Sequence, residues 1–340
     1  MSFSRHIWRY SLLALGFFLK EIGAFFDVSY HFKHLREFYQ IPHLINGAGN
    51  ILIVFMLWYL WIKEPKVAHE RLKILLYGLL VFAFGIIFDQ YWHQRFGVDL
   101  TIWSPTHLTL YLGSLIALVG AILYVSRDYK HGHIPEHIKN LYCLFFFVSL
   151  LSGLWFPLLQ QEHGVIAQYY LMQGAPLQDS ALFSAFFAAH KDFYADIPAW
   201  IYSAWGALTL TFVFHLVKSL RLHPFAPTII ASFYIAYRSF MNIFFLAIHY
   251  PISTIPYHIL MTAFLFDLIY SALSKEPAIR DLCSSAMIVA GVISIGFLHT
   301  SFPINPPIPL LETFLIAIPL AILGYFFAGL SYKALFHKHI

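Results

Sequence analysis

Two stretches of the 340-residue chain repeat an Asp-x3-His followed by a proline and a histidine: FFDVSYHFKHLREFYQIPH over residues 25–43 and FDQYWHQRFGVDLTIWSPTH over residues 88–107. Each has an Asp-x3-His, Asp27/His31 in the first and Asp89/His93 in the second, followed by a proline and a histidine, Pro42/His43 and Pro105/His107. On a helix the i, i+4 spacing puts carboxylate and imidazole on one face, and a hairpin returns the later histidine to the same level. Three nitrogen and oxygen donors can then converge, a set that suits copper, zinc or another imidazole-binding divalent metal. Asp99 and Glu37, in the connections between the two halves of each motif, are candidates to orient the ring nitrogens. The bland alternative is that histidines and aspartates at helix ends cap the backbone and hydrogen-bond to lipid headgroups.

Other polar residues are weighed in the same way. His190, Asp192 and Asp196 lie in the longest connection, 159–196, and offer further ligands or acid/base groups, or simply a solvated loop face. His163 beside Glu162 carries the same two readings. His43, Asn46 and Asn50 share a helical face, as do His107, Tyr111 and Ser114, so polar seams are expected below each motif. Arg238 and Asp267 fall inside apolar segments, about 16 and 13 Å by helical rise from the ends of one hairpin. Charges at that depth are costly alone, so the two are expected to pair, either structurally or along a proton or substrate path.

The elements that position these groups are transmembrane helices. Hydrophobic residues make up 59% of the chain and charged residues 11%, too little polar surface for any water-soluble domain of this size. Apolar segments long enough to span a hydrocarbon core recur near 8–26, 43–62, 72–88, 107–125, 140–158, 197–217, 226–248, 258–274, 282–299 and 309–331. Continuous apolar runs exclude period-2 barrel strands, so the class is an all-α, polytopic helical bundle of about ten helices in five hairpins, a single integral membrane domain. Alternate connections carry fifteen lysines and arginines (Arg5, Arg9, Lys63, Lys66, Arg71, Lys73, Arg127, Lys130, Lys139, Lys218, Arg221, Lys275, Arg280, Lys333, Lys338) against four (Lys33, Arg36, Arg95, Lys191). That bias puts both termini in the cytoplasm and the Asp/His motifs at the outer face of a cell membrane. A net charge of +4 without a basic tract argues against nucleic acid, and two isolated cysteines argue against a disulfide framework. The lipid bilayer is the expected partner, with other membrane proteins left open.

The segment DQYWHQRFGVDLTIWSPTHLTLYLG, residues 89–113, resembles a copper-binding membrane subunit of the membrane-bound copper monooxygenases, the particulate methane and ammonia monooxygenase family. That family has an Asp-x3-His at a helix end and, about a dozen residues on, a Thr-Pro-x-His opening the next helix. Here Ser104-Pro105-Thr106-His107 stands for the tetrapeptide. The resemblance implies copper at Asp89, His93 and His107, with Asp27, His31 and His43 as a looser second instance. The reading favoured is thus a membrane protein with an outer-face copper site serving oxidation or metal handling. Two others compete: a transporter using the Arg238/Asp267 pair, and a zinc-dependent lipid hydrolase with Asp89 or Asp27 as base. Whether the protein is an enzyme is left open by its sequence.

Overall fold

A computed structural model describes residues 3–31, 40–96, 102–128, 135–163, 199–301 and 310–333. Among these the chain forms ten long helices and no strand: α1 (Phe3–His31), α2 (Ile41–Lys63), α3 (Lys66–Phe96), α4 (Pro105–Asp128), α5 (Glu136–Trp155), α6 (Ala199–Ser219), α7 (Ala226–Ala247), α8 (His258–Ala272), α9 (Pro277–Ser301) and α10 (Leu310–Ser331). The all-α class and the ten helices of the sequence reading hold. A 3-10 turn at Phe156–Leu158 follows α5, and helical residues continue to His163, so the segment Asn140–His163 reaches five residues past the expected end at 158.

Among the described residues six segments are long and apolar enough to cross a membrane: Ile41–Lys63, Lys66–Phe96, Pro105–Ser126, Asn140–His163, Ile201–Ser219 and Ala226–Ala247. Their large side chains are freely exposed, among them Ile51, Trp58, Leu80, Phe84, Ile87 and Ile243, as a lipid-facing surface requires. Helix α8, at 15 residues, spans only about 22 Å.

The chain divides into two compact units, residues 1–157 and 158–340. In the first, α1 packs on α2 and α3 on α4, with α5 against α1 and α4. Glycines set the distance of both hairpins. A Cβ on Gly16 would lie 2.7 Å from the Ile53 side chain, and one on Gly49 would lie 2.6 Å from the Gly16 carbonyl. In the second hairpin a Cβ on Gly78 would lie 2.7 Å from the Gly113 carbonyl, and one on Gly120 would lie 2.7 Å from the Leu75 Cα. Lipid gives no hydrophobic drive for helix association, so close backbone contact through small residues is what holds such pairs.

Below Asp27 and His43, Asn50 donates to Asn46 Oδ1 at 2.7 Å and accepts from Lys20 at 3.0 Å, while Lys20 lies over the Phe82 ring. The polar seam expected on α2 is therefore present and ends at a buried lysine. On α4 Ser114 instead donates back to the Leu110 carbonyl, and Tyr111 stacks on Phe156.

In the second unit α6 packs along α10, α8 lies on α7 and α9, and Ala207, Val289, Ala317 and Ala321 form a small-residue core. Just past the end of α7 stands His249, whose φ of +59° lets Tyr250 N–H reach back to the Phe245 carbonyl at 2.8 Å. That is the left-handed helix stop usually made by glycine. Residues 250–256 then run without helix beside α7, and α8 begins only at His258.

Candidate metal site

Helix α3 carries Asp89 and His93 one turn apart near its C-terminal end, and α4 presents His107 in its first turn. Pro105 opens α4, where a missing N–H costs nothing, and the Ser104 hydroxyl caps it by accepting from His107 N–H at 3.3 Å. The cap fixes the backbone at His107. Close packing at Gly85, where a Cβ would lie 3.0 Å from Leu110 N, brings α3 and α4 together just below.

The result is a convergence of three donors. His93 Nε2 lies 3.2 Å from Asp89 Oδ2 and His107 Nε2 lies 3.4 Å from Asp89 Oδ1, with all three donor atoms within 4.8 Å of one another. Thr106 donates its hydroxyl to Asp89 Oδ1 at 2.6 Å and itself contacts the Ser104 hydroxyl at 3.2 Å, which holds the carboxylate plane. All three side chains are partly exposed.

These distances suit a first-row divalent ion. With metal-ligand bonds of about 2.1 Å, tetrahedral donors sit about 3.4 Å apart, close to the two spacings seen. Two imidazoles and one carboxylate leave at least one coordination position open, as in catalytic rather than purely structural sites. Thr106 supplies the outer hydrogen bond that orients a ligand carboxylate. Without a metal the same atoms form an Asp89 carboxylate flanked by two imidazoles.

Of the other sequence candidates, Asp27 and His43 also meet, with His43 Nε2 3.0 Å from Asp27 Oδ1. His31 is the last residue of α1, and its side chain lies outside the described residues. Asp99, Glu37, His190, Asp192 and Asp196 lie outside them altogether.

The expected Arg238/Asp267 pair is corrected: each ion has another partner. Arg238, fully buried, donates to Glu162 Oε2 at 2.6 Å, to the Tyr234 and Ser253 hydroxyls at 2.8 Å and to the Thr254 carbonyl at 2.9 Å. Tyr202 donates to the other Glu162 oxygen at 2.8 Å. Asp267 instead meets Lys218 at 2.6 Å and accepts from Thr228 N–H at 2.9 Å and from its hydroxyl at 2.6 Å. Thr228 is in the first turn of α7, so Asp267 serves as a cap delivered from α8, on the side of the helix dipole that favours an anion.

The reason lies in the connection. Ser253 N–H and C=O bond to the Asn242 side chain at 3.2 and 2.7 Å, so the chain after α7 folds back inward instead of capping the hairpin at its end. Helix α8 therefore starts near the level of Arg238, and Asp267 ends up beside Thr228, ten residues or about 15 Å from Arg238 along α7. Counting rise from each helix end assumed a hairpin with level ends.

Thr106 and Lys218 were missed as site or network residues, and Glu162 was weighed as a ligand or solvated loop group but not as the partner of Arg238. The hydroxyl between Pro105 and His107 was a usable signal for the first. Glu162 and Lys218 were assigned to connections, where a carboxylate or amine reads as solvated. Comparison with models of known families, with curated proteins and with solved structures finds no match for this chain.

Proposed function

We propose that this membrane protein binds a divalent metal, preferably copper, at Asp89, His93 and His107, and uses it in oxidation or in metal handling at the outer face of a cell membrane. The single observation that carries the reading is the convergence of the three donors from two helices within 4.8 Å, with a hydroxyl on the carboxylate. The preference for copper rests on the likeness of residues 89–113 to the copper-binding segment of the membrane-bound copper monooxygenases, and distant kinship to that family is part of the proposal.

In this reading α3 and α4 provide a rigid frame, Thr106 keeps Asp89 turned toward the imidazoles, and the partial exposure of all three groups leaves an approach from the helix ends. A bound copper would supply redox chemistry and an open coordination position. A transport path through Arg238 and Asp267 is not proposed, because the two belong to separate, internally paired clusters.

Electron paramagnetic resonance of protein loaded with one equivalent of Cu(II) tests the assignment. Hyperfine structure from two imidazole nitrogens, lost in His93→Ala and His107→Ala, is expected. A spectrum unaltered by either substitution would refute it.

A further inference from the structure

The two hairpins of the first unit repeat each other contact by contact. Positions on α1 and their counterparts on α3 are 62 apart (16 and 78, 23 and 85, 27 and 89, 31 and 93) and carry Gly, Gly, Asp and His in both. On the returning helices the offset is 64 (43 and 107, 46 and 110, 49 and 113, 53 and 117).

The packing obeys the same offsets. A Cβ on Gly16 meets Ile53 and Gly49, and one on Gly78 meets Ala117 and Gly113. Gly23 faces Asn46 as Gly85 faces Leu110, and Gly49 abuts Lys20 as Gly113 abuts Phe82. The donors follow: Asp27 Oδ1 to His43 Nε2 is 3.0 Å where Asp89 Oδ1 to His107 Nε2 is 3.4 Å. Glycine contacts of this kind fix the axial and rotational register of a helix pair, so two hairpins sharing them present their ends in the same way.

We infer that α1 and α2 carry a second metal site for the same class of imidazole-binding divalent cation, built on Asp27 and His43 with His31 at the register position of His93. The inference rests on the reading of Asp89, His93 and His107 as metal ligands, and its geometry is that of the duplicated hairpin.

The duplicate differs in two ways that set its strength. The counterpart of Thr106 is Pro42, which has no hydroxyl to hold the carboxylate, and the counterpart of the capping Ser104 is Gln40, which makes no side-chain cap. The pair is also more open, with His43 50% and Asp27 29% exposed against 27% and 21% for His107 and Asp89. Loss of an outer hydrogen bond weakens metal binding by about 10- to 100-fold. The second site is thus the weaker and more readily exchanging of the two.

Calorimetric titration of the full-length, detergent-purified protein with Zn²⁺, and separately with Cu²⁺, reads both sites. Wild type is expected to bind two equivalents, the second at least about tenfold more weakly. Asp27→Asn/His43→Gln should abolish the weak equivalent alone, and Asp89→Asn/His107→Gln the tight one alone, with helix content and gel-filtration profile unchanged in both. One equivalent in wild type, lost in Asp89→Asn/His107→Gln and kept in Asp27→Asn/His43→Gln, overturns this inference while leaving the first site standing. One equivalent lost only in Asp27→Asn/His43→Gln supports the second site and removes the first. No metal bound to any form overturns both. Should a double variant misfold, the single changes His43→Gln and His107→Gln give the same readout.

Discussion

The Asp89 cluster of the first unit and the Glu162/Arg238 cluster of the second use similar polar groups to opposite ends. Around Arg238 the charges are opposed and enclosed: a guanidinium, a carboxylate and two phenols, with both Glu162 oxygens occupied. Around Asp89 one carboxylate faces two imidazoles that each offer a lone pair, at the partly open end of a hairpin. The first arrangement matches its buried charges within the fold, and burying them is tolerable because the guanidinium and the carboxylate are paired. The second has more donors directed at one point than the protein's own charges require. That difference separates a tie within the fold from a place for a ligand.

The difference is sharpest in substitutions that remove a partner. Glu162→Ala strands a buried guanidinium and should destabilise the second unit by about 3–5 kcal/mol in detergent unfolding. A cost below about 1 kcal/mol would mean that Arg238 is hydrated and the cluster is not a closed tie. Asp267→Ala should cost a comparable amount, about 3–5 kcal/mol, since it removes the α7 cap together with the buried Lys218 pair. Asp89→Asn, by the same comparison, should leave unfolding within about 0.5 kcal/mol of wild type, as expected of a substitution outside the packed core.

The frame beneath the Asp89 site can be broken without touching it. Gly78→Leu forces a side chain into the α4 backbone and should destabilise the first unit by about 1–3 kcal/mol while lowering metal occupancy. Gly47→Leu, where the surroundings are open, should change neither. Equal effects in a thermal unfolding assay would show that the glycine contacts do not set the register. The smallest expected effect belongs to Thr106→Val, which keeps shape but loses the hydroxyl bond to Asp89. It should weaken metal binding about tenfold with unfolding unaltered, as read by competition with a chelator.

Much of this was written in the sequence in a local code. Apolar runs of membrane-spanning length located the helices, and the i, i+4 spacing with a Pro and His in return placed Asp89, His93 and His107 together. The Asp27/His43 contact followed from the same pattern. What stayed hidden depends on how the chain travels between helices. Nothing in the residues 250–256 announces that they turn back along α7, and that fold decides which carboxylate Arg238 meets. Lys20 is buried against Asn50 and Phe82 because the register of α1 on α2 turns it inward, which no local pattern around it announces. The glycine spacing that sets this register was legible in principle, since Gly-x6-Gly-x3-Asp-x3-His occurs in both α1 and α3, but its meaning appears only when the partner helices are seen to share it.

The most direct test of the central claim is elemental analysis of the purified protein beside its His93→Ala/His107→Ala variant, after exposure to copper and zinc and removal of loosely held ions. At least one tightly held metal per chain is expected in the wild type and one fewer in the variant. Metal absent from the wild type, or retained undiminished by the variant, would contradict it.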